Sequence, residues 1–183
     1  PVIQAIAERE IKLGVVYSQA KSGWAVMMGP HNGHILAVAQ YPFFWPEDYQ
    51  KFYNNSDLLP DTRLHCVLDS YEPGSTFKPI NMALCLQANE FLKAQGKPPL
   101  FDPEEKIASS NGRFPGRFIK PIEDTRTHYY LNLDLGIQRS SNIYIGRVIQ
   151  RLIERLGSGW YYNALKDLVG VGIPTNVEYP IES

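Results

Sequence analysis

The chain has 183 residues, of which 44% are hydrophobic and 20% charged, which is typical of a globular domain and excludes a disordered chain. Its 18 basic and 19 acidic residues give a net charge of −1, which removes the electrostatic reason to propose nucleic acid or an anionic membrane as a partner. Two cysteines, Cys66 and Cys85, exclude a disulfide-framework fold. We expect two free thiols, with a single pairing between them as the alternative.

The sequence shows no targeting or membrane-spanning segment. No apolar run approaches the roughly 18–20 residues of a spanning helix. The N-terminus begins Pro-Val-Ile-Gln, without an initiator Met and without the basic-then-apolar layout of a signal peptide. We therefore expect the chain to be part of a longer protein.

The first half of the chain predicts a helix followed by a hairpin. Residues 3–13 carry an apolar stripe at helical spacing, with charged residues opposite. Two apolar runs follow, Trp24 to Met28 and Ile35 to Ala39, with Asn32-Gly33 between them. Because both turn residues tolerate positive φ, this pattern predicts an antiparallel hairpin. Residues 41–74 contain clustered Pro and Asn and are predicted to be irregular.

The second half is predicted to be mainly helical. We expect an almost wholly apolar helix at about 75–87, and turns with short strands or loops at 95–130. An amphipathic helix is expected at 143–156. Another is expected at about 160–168, ending at Gly170. Sheet and helices that segregate in this way predict an α+β fold. Since two strands make a poor sheet, further strands lie in residues 100–130 or are missing from this chain.

The strongest chemical motif is Glu-Pro-Gly-Ser-Thr-Phe-Lys-Pro at residues 72–79. Ser75 and Lys78, three residues apart at a helix start, face the same way. A Ser hydroxyl becomes a good nucleophile when a base lies within hydrogen-bond reach. Lys becomes such a base when burial and nearby positive charge lower its pKa. Pro79 removes a helical N–H donor in this interpretation, and such broken local rules tend to mark functional sites.

The same spacing has an ordinary structural explanation. In most proteins a Ser-x-x-Lys pair is a capping Ser and a surface Lys. The chain has a second copy, Ser18 to Lys21, which we interpret as a solvated connection after the first helix.

A Ser-x-Asn motif also occurs twice. Ser109 to Asn111 precedes a glycine-rich turn, whereas Ser140 to Asn142 lies between a short apolar segment, Leu131 to Ile137, and the predicted amphipathic helix. A position between helices is rigid and can direct side chains into a cleft. On local grounds alone, Ser140 and Ser141 are as well explained as N-caps of the next helix.

These segments together resemble a known family. Glu-Pro-Gly-Ser-Thr-Phe-Lys-Pro, the preceding hairpin and the later Arg-Ser-Ser-Asn-Ile-Tyr-Ile-Gly are similar to the transpeptidase domain of penicillin-binding proteins. The similarity is greatest to the monofunctional, membrane-anchored type that cross-links cell-wall peptide during division or elongation. It covers nearly the whole chain, and Ser-x-x-Lys, a Ser-x-Asn-type motif and Lys-Thr-Gly are the superfamily's signature. This resemblance favours the Ser140 copy of Ser-x-Asn over the Ser109 copy.

The resemblance implies a penicillin-binding/β-lactamase-like serine acyltransferase fold, an antiparallel sheet flanked by helices plus an all-α lobe. We expect residues 1–45 to supply a helix and hairpin of the sheet lobe, and residues 46–183 to form the mainly helical lobe.

It also implies roles for four residues. Ser75 would be the acylated nucleophile, Lys78 its general base, Ser140 a proton relay and Asn142 the group that holds the substrate amide. The substrates implied are peptidoglycan stem peptides ending in D-Ala-D-Ala, and β-lactams as their mimics. No cofactor or metal is implied.

The chain also departs from the family pattern, because it contains no Lys-Thr-Gly or Lys-Ser-Gly. In the family this motif closes the other wall of the cleft and supplies the second oxyanion donor. We therefore expect a transpeptidase domain incomplete at its C-terminus, inactive unless another polypeptide segment completes it. The resemblance places the complete protein at the periplasmic face of the inner membrane, in a cell-wall synthesis complex.

Two alternatives stay open. A serine β-lactamase shares both Ser motifs, and Glu178 lies at a suggestive distance for activating water, but the Asn partner of the class A hydrolytic loop is missing. A non-catalytic penicillin-binding sensor or scaffold would carry the same Ser and Lys. The four histidines have no Cys or carboxylate at ligand spacing and predict no metal site.

Overall fold

Residues 1–117 and 119–175 are described by the structure, a computed structural model. Their backbone separates into two units. Residues 1–71, together with residue 175, belong to the first, and residues 72–174 form the second. The division after residue 45 expected from the sequence stays a prediction.

The first unit consists of a long helix, a hairpin and several short helical turns. Its elements are α1 (Val2–Ser18), β1 (Gly23–Met28), β2 (Ile35–Tyr41), α2 (Tyr49–Tyr53) and α3 (His65–Leu68), with 3₁₀ turns at Pro46–Asp48 and Leu59–Thr62.

The hairpin predicted around Asn32-Gly33 is confirmed. Strands β1 and β2 pair antiparallel from Gly23 opposite Tyr41 to Met28 opposite Ile35. Gly33 has a φ of +69°, the left-handed conformation for which glycine is favoured. The amide of Gly29 donates to the carbonyl of His34 at 2.8 Å and closes the loop.

Helix α1 is longer than predicted, because it continues through Gly14 and ends before Gln19, which adopts a φ of +55°. The Gln4 side chain joins α1 to the outer edge of β2. Its amide nitrogen donates to the carbonyl of Val38 at 2.7 Å, and its oxygen accepts from the amide of Val38 at 2.9 Å.

The prediction that residues 41–74 are irregular is wrong in part, since α2, α3 and the 3₁₀ turns lie there. The buried side chain of Gln40 organises this segment. Its amide nitrogen donates to the carbonyl of Arg63 at 2.8 Å, and its oxygen accepts from the amide of His65 at 3.2 Å. These contacts are tertiary and leave no local pattern in the sequence.

The second unit is dominated by two helices that pack against each other. Its elements are a 3₁₀ turn at Gly74–Phe77, α4 (Lys78–Ala94), β3 (Ile107–Ala108), β4 (Tyr130–Leu131), α5 (Leu133–Gln138), α6 (Asn142–Ala164) and a π-helical turn at Leu165–Val169. Buried side chains of α4, α6 and the segment between them form one core, which comprises Met82, Cys85, Ala88, Leu92, Leu100, Phe101, Ile107, Leu131, Tyr144, Ile145, Val148 and Leu152.

The start of α4 overturns one sequence argument. Ser75 lies in a 3₁₀ turn, and the α-helix itself begins only at Lys78. Pro79 therefore occupies the first turn of α4, where its missing N–H has no helical partner to lose. The proline is ordinary at this position, so it is not a mark of function. Helix α4 also runs to Ala94, beyond the predicted end, and its Ala83 and Leu86 are exposed, so it is buried on one face rather than on most sides.

The remaining helices follow the predicted pattern. The two predicted helices at 143–156 and 160–168 meet at Gly157, whose φ of +82° interrupts α6, and Gly170 ends the following turn in a left-handed conformation.

The α+β prediction is confirmed. Strands β3 and β4, each two residues long, pair within the segment expected to contain short strands or loops. Within residues 1–117 and 119–175, the sheets are two-stranded.

Candidate active site

Ser75 lies at the exposed entrance to α4. It belongs to the 3₁₀ turn that begins at Gly74, whose φ of +58° is in the left-handed region. The carbonyl of Ser75 accepts a hydrogen bond from the amide of Lys78, which fixes the two residues one tight turn apart.

Lys78 is the first residue of α4, and its side chain is directed to the turn before α6. Only 9% of Lys78 is exposed. Its ammonium nitrogen donates to the carbonyl of Ser140 and, at 3.0 Å, to the Oγ of the same residue. The structure therefore brings together two of the residues that the motifs predicted, although 62 positions separate them.

The environment of Lys78 shifts its protonation equilibrium toward the neutral form. Burial lowers the pKa of Lys78 below its usual 10.5, because removing the ammonium from water disfavours the charge. The carboxylate of Asp124 acts in the opposite direction and raises this pKa, but it is the smaller influence. The neutral form of a lysine is the one that can accept a proton.

Ser140 adopts a backbone conformation that is rare for a residue with a side chain. Its φ is +52°, in the left-handed region, between the end of α5 and the start of α6. Two backbone bonds fix this turn. The Ser140 amide donates to the carbonyl of Ile137 at 2.9 Å, and the Ser141 amide donates to that of Gly136 at 3.0 Å. In this conformation both acceptors of Ser140 reach the Lys78 nitrogen.

The neighbouring Ser141 has the capping role that was considered for both serines. It is fully buried, and its Oγ accepts from the amide of Tyr144 at 3.0 Å, which caps the N-terminus of α6. The same hydroxyl donates to Oδ2 of Asp124 at 2.5 Å. Capping by Ser141 leaves the hydroxyl of Ser140 available to Lys78.

Asn142 is the first residue of α6, and its side chain is exposed. The amide nitrogen of this side chain donates to the carbonyl of Glu123 at 2.9 Å. This bond orients the side-chain amide through its nitrogen end, and within the described residues its carbonyl oxygen accepts no hydrogen bond.

The second Ser-x-Asn motif has structural roles. Ser109 is fully buried, and its Oγ donates to the carbonyl of Ile107 at 3.0 Å. The Asn111 side chain accepts from the amide of Arg113 at 2.9 Å, which closes a local turn. Within the described residues neither side chain bonds to Lys78.

The nucleophile candidate is exposed, whereas Lys78 is buried. Ser75 is exposed, and within the part of the chain that the structure describes its Oγ makes no hydrogen bond to Lys78. The structure thus brings Lys78 and Ser140 into contact and leaves Ser75 one turn away.

Sequence reasoning missed Asp124. Its carboxylate accepts hydrogen bonds from Ser141, Asn142 and Ile143. Asp124 lies in a loop and belongs to none of the motifs identified from the sequence. Its contacts with the N-terminus of α6 form only when the chain folds. Glu178, the residue considered for water activation in a β-lactamase, lies outside the described residues.

Comparison with known families assigns the chain. Residues 23–183 match the penicillin binding protein transpeptidase domain. The chain belongs to this family. The resemblance inferred from the three sequence segments is therefore confirmed.

The relatives are much longer than the chain. It is 31% identical over 176 residues to a peptidoglycan D,D-transpeptidase FtsI homolog of Mesostigma viride, covering 93% of the chain and 27% of that protein. It is 32% identical over 191 residues to a probable peptidoglycan D,D-transpeptidase PenA of Neisseria gonorrhoeae, covering 99% and 27%. The chain thus spans about a quarter of the length of these curated relatives.

A solved structure shares the fold. The crystal structure of a peptidoglycan glycosyltransferase from Burkholderia ambifaria matches 99% of this chain with a TM-score of 0.72, at 24% identity and over 46% of that chain. The likeness supports the expected penicillin-binding fold. Among the helices of the described residues, none combines the length and hydropathy needed to cross a membrane.

Proposed function

We propose that the chain supplies the acylating half of a peptidoglycan D,D-transpeptidase, in which Ser75 is acylated by stem peptides ending in D-Ala-D-Ala. Membership of the penicillin-binding transpeptidase family supports the reaction class. The observation that carries the proposal is the contact of the buried Lys78 nitrogen with Ser140, because it gives the predicted base a fixed orientation one turn from Ser75.

A neutral lysine amine fits this arrangement. It has two N–H donors and one lone pair. The two donors are directed to the carbonyl and the Oγ of Ser140. The lone pair is then left for the proton of the Ser75 hydroxyl, so Lys78 acts as the general base.

In the proposed acylation of Ser75, one bond to the acyl carbon forms, another breaks, and the proton of Ser75 passes to the leaving nitrogen. The Ser75 oxygen attacks the carbonyl carbon of the penultimate D-Ala and gives its proton to Lys78. The bond from that carbon to the nitrogen of the terminal D-Ala breaks, and this nitrogen takes a proton relayed from Lys78 through the Ser140 hydroxyl. The amine of a second stem peptide then attacks the ester carbonyl carbon and loses a proton through the Ser140 hydroxyl to Lys78. The bond from that carbon to the Ser75 oxygen breaks, and this oxygen takes the proton back from Lys78.

Asn142 and the backbone complete the proposed substrate contacts. The Asn142 side chain, oriented through the carbonyl of Glu123, would hold the peptide amide of the substrate. The amide of Ser75 would give one oxyanion donor. The 183 residues contain no Lys-Thr-Gly, so we propose that a further polypeptide segment supplies the opposite wall and the second donor.

We also propose the setting that the family implies. β-Lactams would acylate Ser75 as mimics of D-Ala-D-Ala. The complete protein would act on the extracytoplasmic face of the bacterial inner membrane, within a membrane complex for cell-wall synthesis.

The proposal is tested by labelling the complete protein that contains this chain with a fluorescent penicillin, followed by digestion and mass spectrometry. We expect the adduct on the peptide that carries Ser75, and no adduct in Ser75→Ala. The matched control is Ser18→Ala, which alters the other Ser-x-x-Lys and should label normally. Adduct formation in Ser75→Ala contradicts the proposal. A donor-strand cross-linking assay then separates a transpeptidase, which joins the strands, from a sensor or a β-lactamase, which does not.

A further inference from the structure

The N-terminus of α6 receives a carboxylate from a distant loop. Asp124 lies 17 residues before Ser141, and its Oδ2 accepts from the Ser141 hydroxyl at 2.5 Å. Its Oδ1 accepts from the amides of Asn142 at 2.6 Å and Ile143 at 3.2 Å. The first amides of a helix lack helical partners and attract negative charge. Asp124 therefore satisfies two of them and orients the capping hydroxyl.

The contacts fix the residues on both sides of Ser141. The Ser141 hydroxyl is held between the amide of Tyr144 and the carboxylate of Asp124. Ser140 immediately precedes this anchored residue, in its left-handed conformation. Asn142 immediately follows Ser141, and its backbone amide donates a hydrogen bond to the Asp124 carboxylate. The Asp124 carboxylate thus accepts hydrogen bonds from Ser141 and Asn142. Through Ser141 it restricts the position of the adjacent Ser140.

The loop that carries Asp124 is itself held against α6. The amide of Ile122 donates to the carbonyl of Gly112 at 2.9 Å. The Arg147 guanidinium donates to the carbonyls of Asn111 and Arg113 at 2.8 and 2.9 Å, and it lies 4.3 Å from the centre of the Phe114 ring. These bonds place Asp124 on a braced segment, so its position does not depend on its contacts with the motif alone.

Asp124 also influences the amine that Ser140 binds. Among the charged groups of the described residues, Asp124 is the one that raises the pKa of Lys78. A loss of this negative charge would make the neutral, basic form of Lys78 available at lower pH. The same carboxylate therefore affects both the geometry of the motif and the protonation of the base.

We propose that Asp124 is a positioning residue for the acylation of Ser75, which acts by holding the Ser140-Ser141-Asn142 turn in the geometry that binds Lys78 and substrate. The inference rests on the proposed function. It assigns to the loop before the motif a role that no motif in the sequence indicates.

The test uses Asp124→Asn in the complete protein, with the rate constant for β-lactam acylation measured from pH 6 to pH 10. The asparagine amide nitrogen cannot accept from the Ser141 hydroxyl, so the turn loses part of its support. Since displacements near 1 Å cost about 100-fold in rate, we expect a loss of about 10- to 100-fold at the optimum. We also expect the acidic limb of the profile to move to lower pH, because the pKa of Lys78 falls.

Two comparisons separate this role from a structural one. Asp134→Asn makes the same change at an exposed position in the first turn of α5. It should leave both the acylation rate constant and the acidic limb of its pH profile unchanged. If Asp124→Asn does not fold, Asp124→Glu carries the test, since it keeps the charge but shifts the oxygens. For Asp124→Glu we expect slower acylation than in the wild type, with the acidic limb of the pH profile at the same position as in the wild type.

The results that overturn the inference are specific. An unchanged acylation rate in folded Asp124→Asn or Asp124→Glu contradicts it. A loss of rate in Asp124→Asn without any shift of the limb, matched by a lower melting temperature, also contradicts it and leaves a purely structural role. Labelling of Ser75→Ala would instead overturn the proposed function, so the two failures are distinguishable.

Discussion

The Lys78 nitrogen donates to both the carbonyl and the Oγ of Ser140, and the pair joins the start of α4 to the turn before α6. Two contacts to one residue fix the direction of an otherwise flexible amine. The positive φ of Ser140 is what makes the double contact possible, since it turns the carbonyl and the side chain toward the same nitrogen.

The first prediction concerns the amine. We expect Lys78→Met to lose at least 100-fold in β-lactam acylation rate, because it removes the general base. The fold should persist, since Met keeps most of the buried stem and the exposed Ser140 can bond to water instead. The matched control is Lys21→Met in the second Ser-x-x-Lys. Acylation rates and far-UV circular dichroism measure both effects, and unfolding of Lys78→Met would show that Lys78 is structural.

The second prediction separates the backbone of Ser140 from its hydroxyl. Glycine adopts positive φ without the steric cost of a Cβ, about 1 kcal/mol. We therefore expect Ser140→Gly to be more stable than Ser140→Ala by about 1 kcal/mol, measured as the free energy of unfolding in urea. Both variants should lose acylation, because both lack the Oγ. Equal stability of the two would argue against strain at this position, and full activity of either against a role for the hydroxyl.

The third prediction concerns a buried hydroxyl in the core. Tyr144 is fully buried, and its OH has no hydrogen-bond partner within the described residues. Burial raises its pKa to about 12, so it stays neutral. An unpaired buried hydroxyl costs about 1–3 kcal/mol, so we expect Tyr144→Phe to be as stable as the wild type or more so.

Tyr161→Phe is the matched control for that experiment. The Tyr161 hydroxyl donates to the side chain of Asn81 at 2.6 Å. Removing this bond should destabilise the protein by about 1 kcal/mol. Chemical denaturation compares the two variants, and a larger loss in Tyr144→Phe than in Tyr161→Phe would reverse the expected order.

The fourth prediction concerns acid stability. Hydrogen bonds from Arg151, at 2.7 and 2.8 Å, lower the pKa of Glu105 below its usual 4.5. The stabilisation by this pair is therefore present above about pH 4.5 and is lost as the pH falls through the lower, folded-state pKa. We expect Glu105→Gln to lose less stability than the wild type as the pH falls below 4.5.

Glu104→Gln serves as its control. This neighbouring carboxylate has one long bond, 3.4 Å from the Asn132 side chain, and its removal should leave the pH dependence of stability as in the wild type. Urea unfolding midpoints at several pH values give the comparison. Identical acid sensitivity of Glu105→Gln and the wild type would contradict the account.

The elements that were predicted well are those with a local signal. Asn32-Gly33 between two apolar runs identified the hairpin, because the turn chemistry and the alternation agree. The apolar spacing from Ile145 onward identified the first part of α6, and Gly170 marked the end of the π-helical turn that follows this helix. The proposed site residues Ser75, Lys78 and Ser140 come from motifs whose order matches the family, and their roles stay predictions.

The features that were missed depend on tertiary contacts. Pro79 was interpreted as a disruption because the helix was started at residue 75, and only the 3₁₀ turn of Gly74–Phe77 shows that it is a normal first-turn proline. The helical turns after β2 are held by the Gln40 side chain, which has no periodic pattern. Asp124 reaches α6 through the closure of a loop, and no spacing rule connects it to Ser141.

The most direct test of the central claim is a double-mutant cycle on the acylation of Ser75, with Lys78→Met, Ser140→Gly and the double variant. If Lys78 and Ser140 act as one unit, the double variant should be about as slow as the slower single variant, since groups that act together show strongly non-additive losses. Losses that multiply independently would contradict the account, because the contact between the two residues would then have no part in the reaction.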